Sequence, residues 1–372
     1  MSGAPITAAA ERRRIAVLAG DFIGPEVVDA TLEVLAALAP RAGLDLAFEP
    51  LPFGGGAIDE HGTPLPEVTK ERVLAADAVL MGSAGGPVGD HPWNRLPREL
   101  RVESGILGLR RHLGVYANLR PVAVFAGLEH LSPLKPDIAR GTDLLIVREL
   151  TGGIYFGKPS HHGPDRGIST DVYERHEVER IARSAFEAAR LRRGRVTSVD
   201  KANVLDVSQF WRDVVVAVHA SEFADVELDH LYVDNAAMQL VRDPRSFDVV
   251  VTANLFGDIL SDLAAVLPGS LGVLPSASLG GRVGLFEPVH GSAPDIAGRD
   301  LANPTGTLLS AAMMLRFALA APAAADALET AVRSALAEDP PRDLGGTRGT
   351  RAFTSAVVAN LPDTMPAPWR TA

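Results

Sequence analysis

The chain contains no cysteine, which excludes disulfides, thiolate catalysis and cysteine-ligated zinc. No apolar run reaches the roughly 18 residues that a membrane span requires, so no membrane association is expected. Lys and Arg number 36 against 46 Asp and Glu, for a formal charge of −10, and the basic residues are scattered. Phosphate backbones need a concentrated basic face, so a nucleic-acid partner is not expected. An anionic substrate must instead be met by a local cluster. Also missing are Gly-x-Gly-x-x-Gly after any strand-like run, the P-loop motif, His-Glu-x-x-His and Gly-x-Ser-x-Gly. The start, Met1 to Arg14, ends in Glu11-Arg12-Arg13-Arg14 without a preceding apolar segment of the secretory kind. It reads as an extension, and the cytoplasm is the expected compartment.

What is present suits a large soluble core. With 372 residues, 47% hydrophobic, and a mean hydropathy of +0.12, the chain is long enough for two domains or one large domain split by the chain path. Short apolar runs alternate with helical patterns: Ile15 to Ala19 then Glu26 to Ala39, Leu144 to Val147 then Val178 to Leu191, Val196 to Val199 then Val204 to His219. In the second pair, Val178, Ile181, Ala182, Ala185, Phe186 and Ala189 fall on one helical stripe. This is an α/β pattern. Gly and Pro cluster at Phe53 to Gly56, Gly82 to Pro87, Gly163 to Gly167 and Pro268 to Gly284, which read as loops. His161-His162 read as exposed loop residues.

Polar residues follow the apolar runs: Asp21, Ser83, Arg148, Asp200-Lys201 and Asp234. If these runs are neighbouring strands, their carboxyl ends converge on one crevice, where ligands of α/β sheets collect. Asn254-Leu255-Phe256-Gly257-Asp258-Ile259-Leu260-Ser261-Asp262-Leu263 carries two acids four residues apart in an apolar helix pattern, just after the strand-like Phe247 to Thr252. Side chains at i and i+4 share one helix face about 5–6 Å apart, so the acids form either a solvated pair or a site that demands a counter-charge. Leu255, Ile259, Leu260, Leu263, Ala264 and Leu267 are expected to make the opposite, buried stripe.

Those acids stand in order with Gly82-Ser83-Ala84-Gly85-Gly86-Pro87, Asn118-Leu119-Arg120-Pro121, Arg148-Glu149-Leu150-Thr151-Gly152-Gly153-Ile154-Tyr155-Phe156-Gly157, Asp200-Lys201-Ala202-Asn203 and Asp234-Asn235-Ala236-Ala237-Met238. With this set, the sequence from about Ile15 to its end resembles the β-decarboxylating dehydrogenases of the isocitrate/isopropylmalate type. The resemblance implies a two-lobed α/β fold with a large mixed sheet flanked by helices, distinct from a Rossmann fold. Residues 15–115 with 269–372 would form a cofactor-side domain, and 116–268 a substrate and dimerisation domain, after an extension over 1–14.

The same resemblance implies oxidation of a 2-hydroxy acid bearing a 3-carboxylate, with hydride passing to NAD and loss of carbon dioxide. Arg110, Arg120 and Arg148 would hold a small dicarboxylate, since a guanidinium keeps its charge when desolvated and offers a planar fork of donors. Asp234, Asp258 and Asp262 would ligate Mg2+ or Mn2+ through hard oxygens, and Asp234 would also meet the substrate. Lys201 would take the hydroxyl proton and Tyr155 would return one to carbon. Taken alone, Tyr155 reads rather as a half-buried aromatic whose hydroxyl meets a carbonyl, and the flanking Gly152, Gly153 and Gly157 favour the site. In this family, Lys201 and Asp234 serve the partner subunit's site, which implies a homodimer with shared sites.

Cofactor contacts would come from Gly86 and Glu103 in the stretch Gly86 to Glu103, from Glu287, and from the loop residues His290, Gly291, Ser292, Ala293, Asp295, Ile296 and Asn303. A carboxylate at Asp295 would accept from free ribose hydroxyls and repel the extra phosphate of NADP, though it could also cap a short turn after Pro294. Ile106 and Leu107 offer an apolar wall suited to an isopropyl substituent, which implies 3-isopropylmalate and leucine biosynthesis. Two departures keep another malate open, namely D-malate, tartrate or a different 3-alkylmalate. Phe22 stands where the family usually has Gly, and the stretch Val88 to Arg95, with Trp93, is longer than usual. A non-catalytic anion- or metal-binding protein on this fold is disfavoured, because binding alone needs no proton-transfer pair.

Overall fold

A computed structural model of the chain describes residues 11–87 and 89–365. Strand β1 (Arg12–Leu18) leads through helix α1 (Ile23–Arg41) to β2 (Asp45–Pro50), then α2 (Gly55–His61), α3 (Glu67–Ala75) and β3 (Ala78–Met81). Helix α4 (Val102–Leu113), β4 (Ala117–Ala123), α5 (Pro136–Ala139) and β5 (Asp143–Glu149) follow. A small arm of β6 (His161–His162) and β7 (Gly167–Ile168) precedes α6 (Arg175–Arg190), β8 (Arg195–Asp200), α7 (Asp206–Glu222) and β9 (Glu227–Tyr232). The chain continues through α8 (Val233–Arg242), β10 (Val249–Thr252), α9 (Asn254–Ala265), β11 (Pro275–Leu279) and β12 (Gly284–Pro288). It ends in α10 (Thr305–Phe317), α11 (Pro322–Glu338) and α12 (Thr350–Asn360).

Ten strands form one mixed sheet in the order β2-β1-β3-β12-β11-β4-β5-β10-β8-β9. The residues β3 and β10 contribute, Ala-Val-Leu-Met and Val-Val-Val-Thr, are buried throughout, as expected of strands covered on both faces. On α6 the buried stripe is the one its periodicity predicts, and Glu177 caps the first turn by accepting from the Glu174 amide at 2.9 Å. Helix α10 packs on β12 and β11, with α1 and α11 packed against it in turn, while α6 and α7 cover the β5-β10-β8 side.

Several expectations need correction. β1 begins at Arg12, paired with Asp45 of β2, so the extension stops before Arg12; residues 1–10 lie outside the described region. Pro268 to Gly284 is not one loop but contains β11, held between β12 and β4. Gly55 and Gly56 open α2, their amides donating to the buried Asp21 carboxylate. His161-His162 are exposed, but as a strand of the β6-β7 arm.

The strand ends do not all converge either. β2, β1, β3 and β12 are mutually parallel, as are β5, β10, β8 and β9, but the antiparallel pairings of β11 and β4 set the two groups in opposite directions. The polar ends of β1 and β3 therefore cannot share an edge with those of β5 and β8. What unites them is the antiparallel seam at the sheet centre.

Candidate active site

Helix α9 turns back from the end of β10 and lies across β5 and β4. Its buried face is Asn254, Gly257, Leu260, Ser261, Ala264 and Ala265; Ile259, expected inside, is 55% exposed. The helix is rotated so that a polar edge, not the longest apolar residues, meets the sheet. Gly257 permits this, because a Cβ there would stand 2.5 Å from Cγ of Arg148.

Arg148, 3% exposed, reaches α9 with its whole guanidinium. Its Nε and Nη2 donate to Asn254 Oδ1 at 3.2 and 2.8 Å, and its Nη1 pairs with Asp258. The second oxygen of Asp258 accepts the Tyr155 hydroxyl at 2.8 Å. One turn on, Arg120 donates to Ser261 Oγ at 2.7 Å and approaches Asp262 at 3.4 Å. Its Nε is held at 2.8 Å by Asn118 Oδ1, while Asn118 Nδ2 donates to Ser276 and Ser278.

Burial, helped by the neighbouring Arg120, brings Arg148 down to about 10; burial and Arg110 lower Arg120. Both remain cations at neutral pH. Clustered, desolvated cations hold a standing attraction for a dianion. Burial and the hydrogen bond to Asp258 raise Tyr155 above the ordinary phenol, so its proton is retained through the neutral range.

Beside this cluster a cavity of about 190 Å³ is lined by Ser83, Ile106, Arg110, Arg120, Glu287 and His290 among others. Arg110 pairs with Glu287 at 2.9 Å across it. Ser83 Oγ, Arg110 Nε and His290 Nε2 are buried without a protein partner. Three orphaned polar atoms in one cavity mark a place prepared for a polar ligand. His290 Nδ1 lies 3.0 Å from the Gly291 carbonyl, and burial holds the ring below the ordinary histidine value. Ile106 supplies apolar lining; Leu107, on the same helix, is partly exposed and outside that lining, and Glu103 is exposed at the first turn of α4.

The His290 loop is tied to both neighbours. Ser292 Oγ donates to the Gly85 carbonyl at 2.9 Å, and the Ile23 amide donates to the Ser292 carbonyl at 3.1 Å. Ala293 carries a positive φ of 38°, and Ile296 packs against Ile23, Val27 and Ala302. Asn303 donates to Asp343 at 3.0 Å, a carboxylate that sequence reading did not single out. Asp295 is exposed and its carboxylate caps no amide among the described residues. Gly86 lies beneath Trp93, whose ring is 6.0 Å from that of Phe22; Phe22 has φ 53° and ψ −104°. Val88 lies outside the described residues.

Lys201 and Asp234 are placed apart from these groups. They pair with each other at 2.6 Å, where the end of β8 meets the first turn of α8, and the Lys201 ammonium holds Asp234 below the ordinary carboxylate range. Neither bonds to Tyr155, to the three arginines or to the α9 acids within one chain. Accordingly, no group of three acidic or histidine side chains positioned for a metal occurs among the described residues. Asn254, Asn118 and Ser261 stand in the quoted motifs, but the sequence alone assigns them no role. Asn254 was legible, as the next member of the i, i+4 series that contains Asp258 and Asp262, and Asn118 shares a strand face with Arg120 at i+2.

A seam of two antiparallel strands joining opposed parallel halves, with a carboxylate helix laid over buried arginines, fits the decarboxylating dehydrogenases. A family model described as isocitrate/isopropylmalate dehydrogenase matches residues 14–360, and the chain belongs to that family. The 3-isopropylmalate dehydrogenase of Deinococcus radiodurans is 55% identical over 348 residues, covering 94% of this chain and 97% of its own. That of Thermosynechococcus vestitus is 58% identical over 329 residues, covering 87% and 90%. Among solved structures, isocitrate dehydrogenase from Methylococcus capsulatus superposes with a TM-score of 0.80 at 37% identity, covering 94% of this chain and 99% of its own.

Proposed function

We propose that the protein is an NAD- and divalent-metal-dependent 3-isopropylmalate dehydrogenase, acting in leucine biosynthesis in the cytoplasm. One observation carries the reading: Arg148 and Tyr155 meet on the two oxygens of Asp258, beside Arg120 and an apolar residue, Ile106. This contact supports carboxylate binding, proton donation and metal ligation by a hard oxygen at one point, next to a cavity with unpaired polar atoms.

Arg110, Arg120 and Arg148 bind and orient the two carboxylates, displacing the intramolecular acids that now occupy them. Asp258 and Asp262 fit Mg2+ or Mn2+, being exposed enough to reach solvent and held four residues apart on one helix face. When bound, the metal would supply charge stabilisation for the negative charge that develops on the substrate oxygen, and NAD would supply the hydride acceptor. Tyr155, kept protonated by its surroundings, gives its proton to C3 once the carboxyl group has left. Lys201, after its ammonium has released a proton to solvent, accepts the C2 hydroxyl proton as the neutral amine.

That last role, and Asp234 as a metal ligand, require a second copy of the chain. The adjacent helices α8 and α9, with Val266 at the end of α9, present Met238, Val241, Ile259 and Val266 at 45–60% exposure, which supports a homodimer through this face. The division into a cofactor-side domain (15–115 with 269–372) and a substrate domain (116–268) belongs to the same proposal. Loop residues His290, Gly291, Ser292, Ala293, Asp295, Ile296 and Asn303, with Gly86, Glu103 and Glu287, would hold NAD; the uncapped Asp295 carboxylate supports NAD over NADP.

NAD reduction across a panel of 3-substituted malates tests the reading, with 3-isopropylmalate expected to give the highest kcat/KM. A second reading, another 3-substituted malate, is favoured by Phe22 packed against Trp93. It gains if a different malate is preferred and Phe22→Gly shifts the preference toward isopropylmalate.

A further inference from the structure

Asn254 does more than begin a helix. It is 2% exposed, and its side chain is used at both ends: Oδ1 accepts from Arg148 Nε and Nη2, while Nδ2 donates to the Gly152 carbonyl at 3.3 Å. The other side of Gly152 is fixed as well, its amide donating at 2.8 Å to the fully buried carboxylate of Glu149. Gly152 also lies flat against Tyr173, where a Cβ would come within 2.6 Å of the ring. Three residues later the same turn carries Tyr155, whose hydroxyl meets Asp258, and Asp258 lies one helical turn beyond Asn254. One amide thus joins the arginine beneath α9 to the turn that bears the phenol.

We propose that Asn254 is a positioning residue that sets Arg148 and the Tyr155 turn in register, so that proton delivery follows the orientation of the bound dicarboxylate. The inference rests on the roles given above to Arg148 and Tyr155. Its physical basis is the amide's asymmetry: the oxygen must face the guanidinium and the nitrogen must face Gly152, so a fixed Arg148 dictates where the Gly152 carbonyl can lie. No apolar or singly functional side chain can serve both partners. The bond from the Asn254 backbone amide to Tyr173 Oη, at 2.8 Å, is separate and caps the helix only.

The test compares Asn254→Leu, Tyr155→Phe, their double variant and Tyr173→Phe, measuring thermal stability, 3-isopropylmalate binding with Mg2+ but without NAD, and the fraction of oxidised keto acid released before decarboxylation. Asn254→Leu should weaken substrate binding about tenfold and release keto acid as Tyr155→Phe does. The double variant should be little worse than the worse single variant, since residues acting as a unit are not additive. Tyr173→Phe should lose stability while binding and product commitment stay at wild-type levels. Should Asn254→Leu fail to fold, Asn254→Ser, well suited to a helix start, is expected to show the same pattern. Additive losses in the double variant, or released keto acid from Tyr173→Phe in proportion to its lost stability, would overturn the proposal. A wild type that neither binds nor oxidises the substrate would instead refute the function on which it rests.

Discussion

Gly257→Ala should separate stability from activity at this site. Glycine within a helix costs about 1 kcal/mol relative to alanine, so by propensity alone the change stabilises. Against this, the new methyl carbon would stand 2.5, 2.8 and 3.1 Å from Cγ, Cβ and Cδ of Arg148. Arg148 cannot retreat. Its strand is paired on both sides, with β4 and with β10, and its guanidinium is tied to Asn254 and Asp258 on α9 itself. The helix must therefore rise by about 1 Å to restore ordinary contact near 3.5–4 Å. Overpacking of this kind costs about 1–3 kcal/mol, of which the propensity gain offsets about 1 kcal/mol. The net loss of at most about 2 kcal/mol corresponds to a Tm decrease of at most roughly 3 °C at this chain length. The catalytic effect has no such offset. A displacement near 1 Å of the residues that orient the substrate lowers kcat/KM by about 10²-fold. Thermal scans and steady-state NAD reduction on one preparation measure both. A Gly257→Ala enzyme more stable than wild type, with kcat/KM within about threefold, would refute the claim that contact between α9 and Arg148 sets the site.

Lys201→Met and Tyr155→Phe should each lower turnover by about 10²–10⁴ while leaving the fold intact by circular dichroism; wild-type rates would remove their assignment as base and acid. EDTA should abolish activity and Mg2+ or Mn2+ restore it, with Asp262→Asn needing much more metal for half-activation. Asp295→Lys should narrow or reverse the ratio of kcat/KM for NAD over NADP, and NADP preference in the unaltered enzyme would show that the loop binds otherwise. Burial holds His290 below its ordinary value of 6.5, so the unfolded chain binds more protons than the folded one between the two values. Stability should therefore fall as pH drops below about 6.5, and His290→Gln should flatten that slope in denaturant titrations at pH 5.5 and 7.5.

The sequence by itself determined the elements and most of the chemistry. Buried strands announce themselves as short apolar runs, and α6 as a 3.6-residue stripe, because local periodicity must match the face that is covered. The acids of α9 were legible for the same reason, since i, i+4 geometry needs no tertiary partner. Tertiary structure alone decided which way each half of the sheet runs. That follows from the antiparallel seam of β11 and β4, a long-range pairing that leaves no local signature, and it limits which strand ends can meet at one edge of the sheet. It also decided the rotation of α9. Ile259 faces outward and Asn254 inward, because a helix packs by the fit of its whole face, here over the stem of Arg148 where only glycine leaves room. The division of the acids, with Asp258 and Asp262 over the arginines and Asp234 on Lys201, is likewise a fact of three-dimensional distance that no spacing in the chain records.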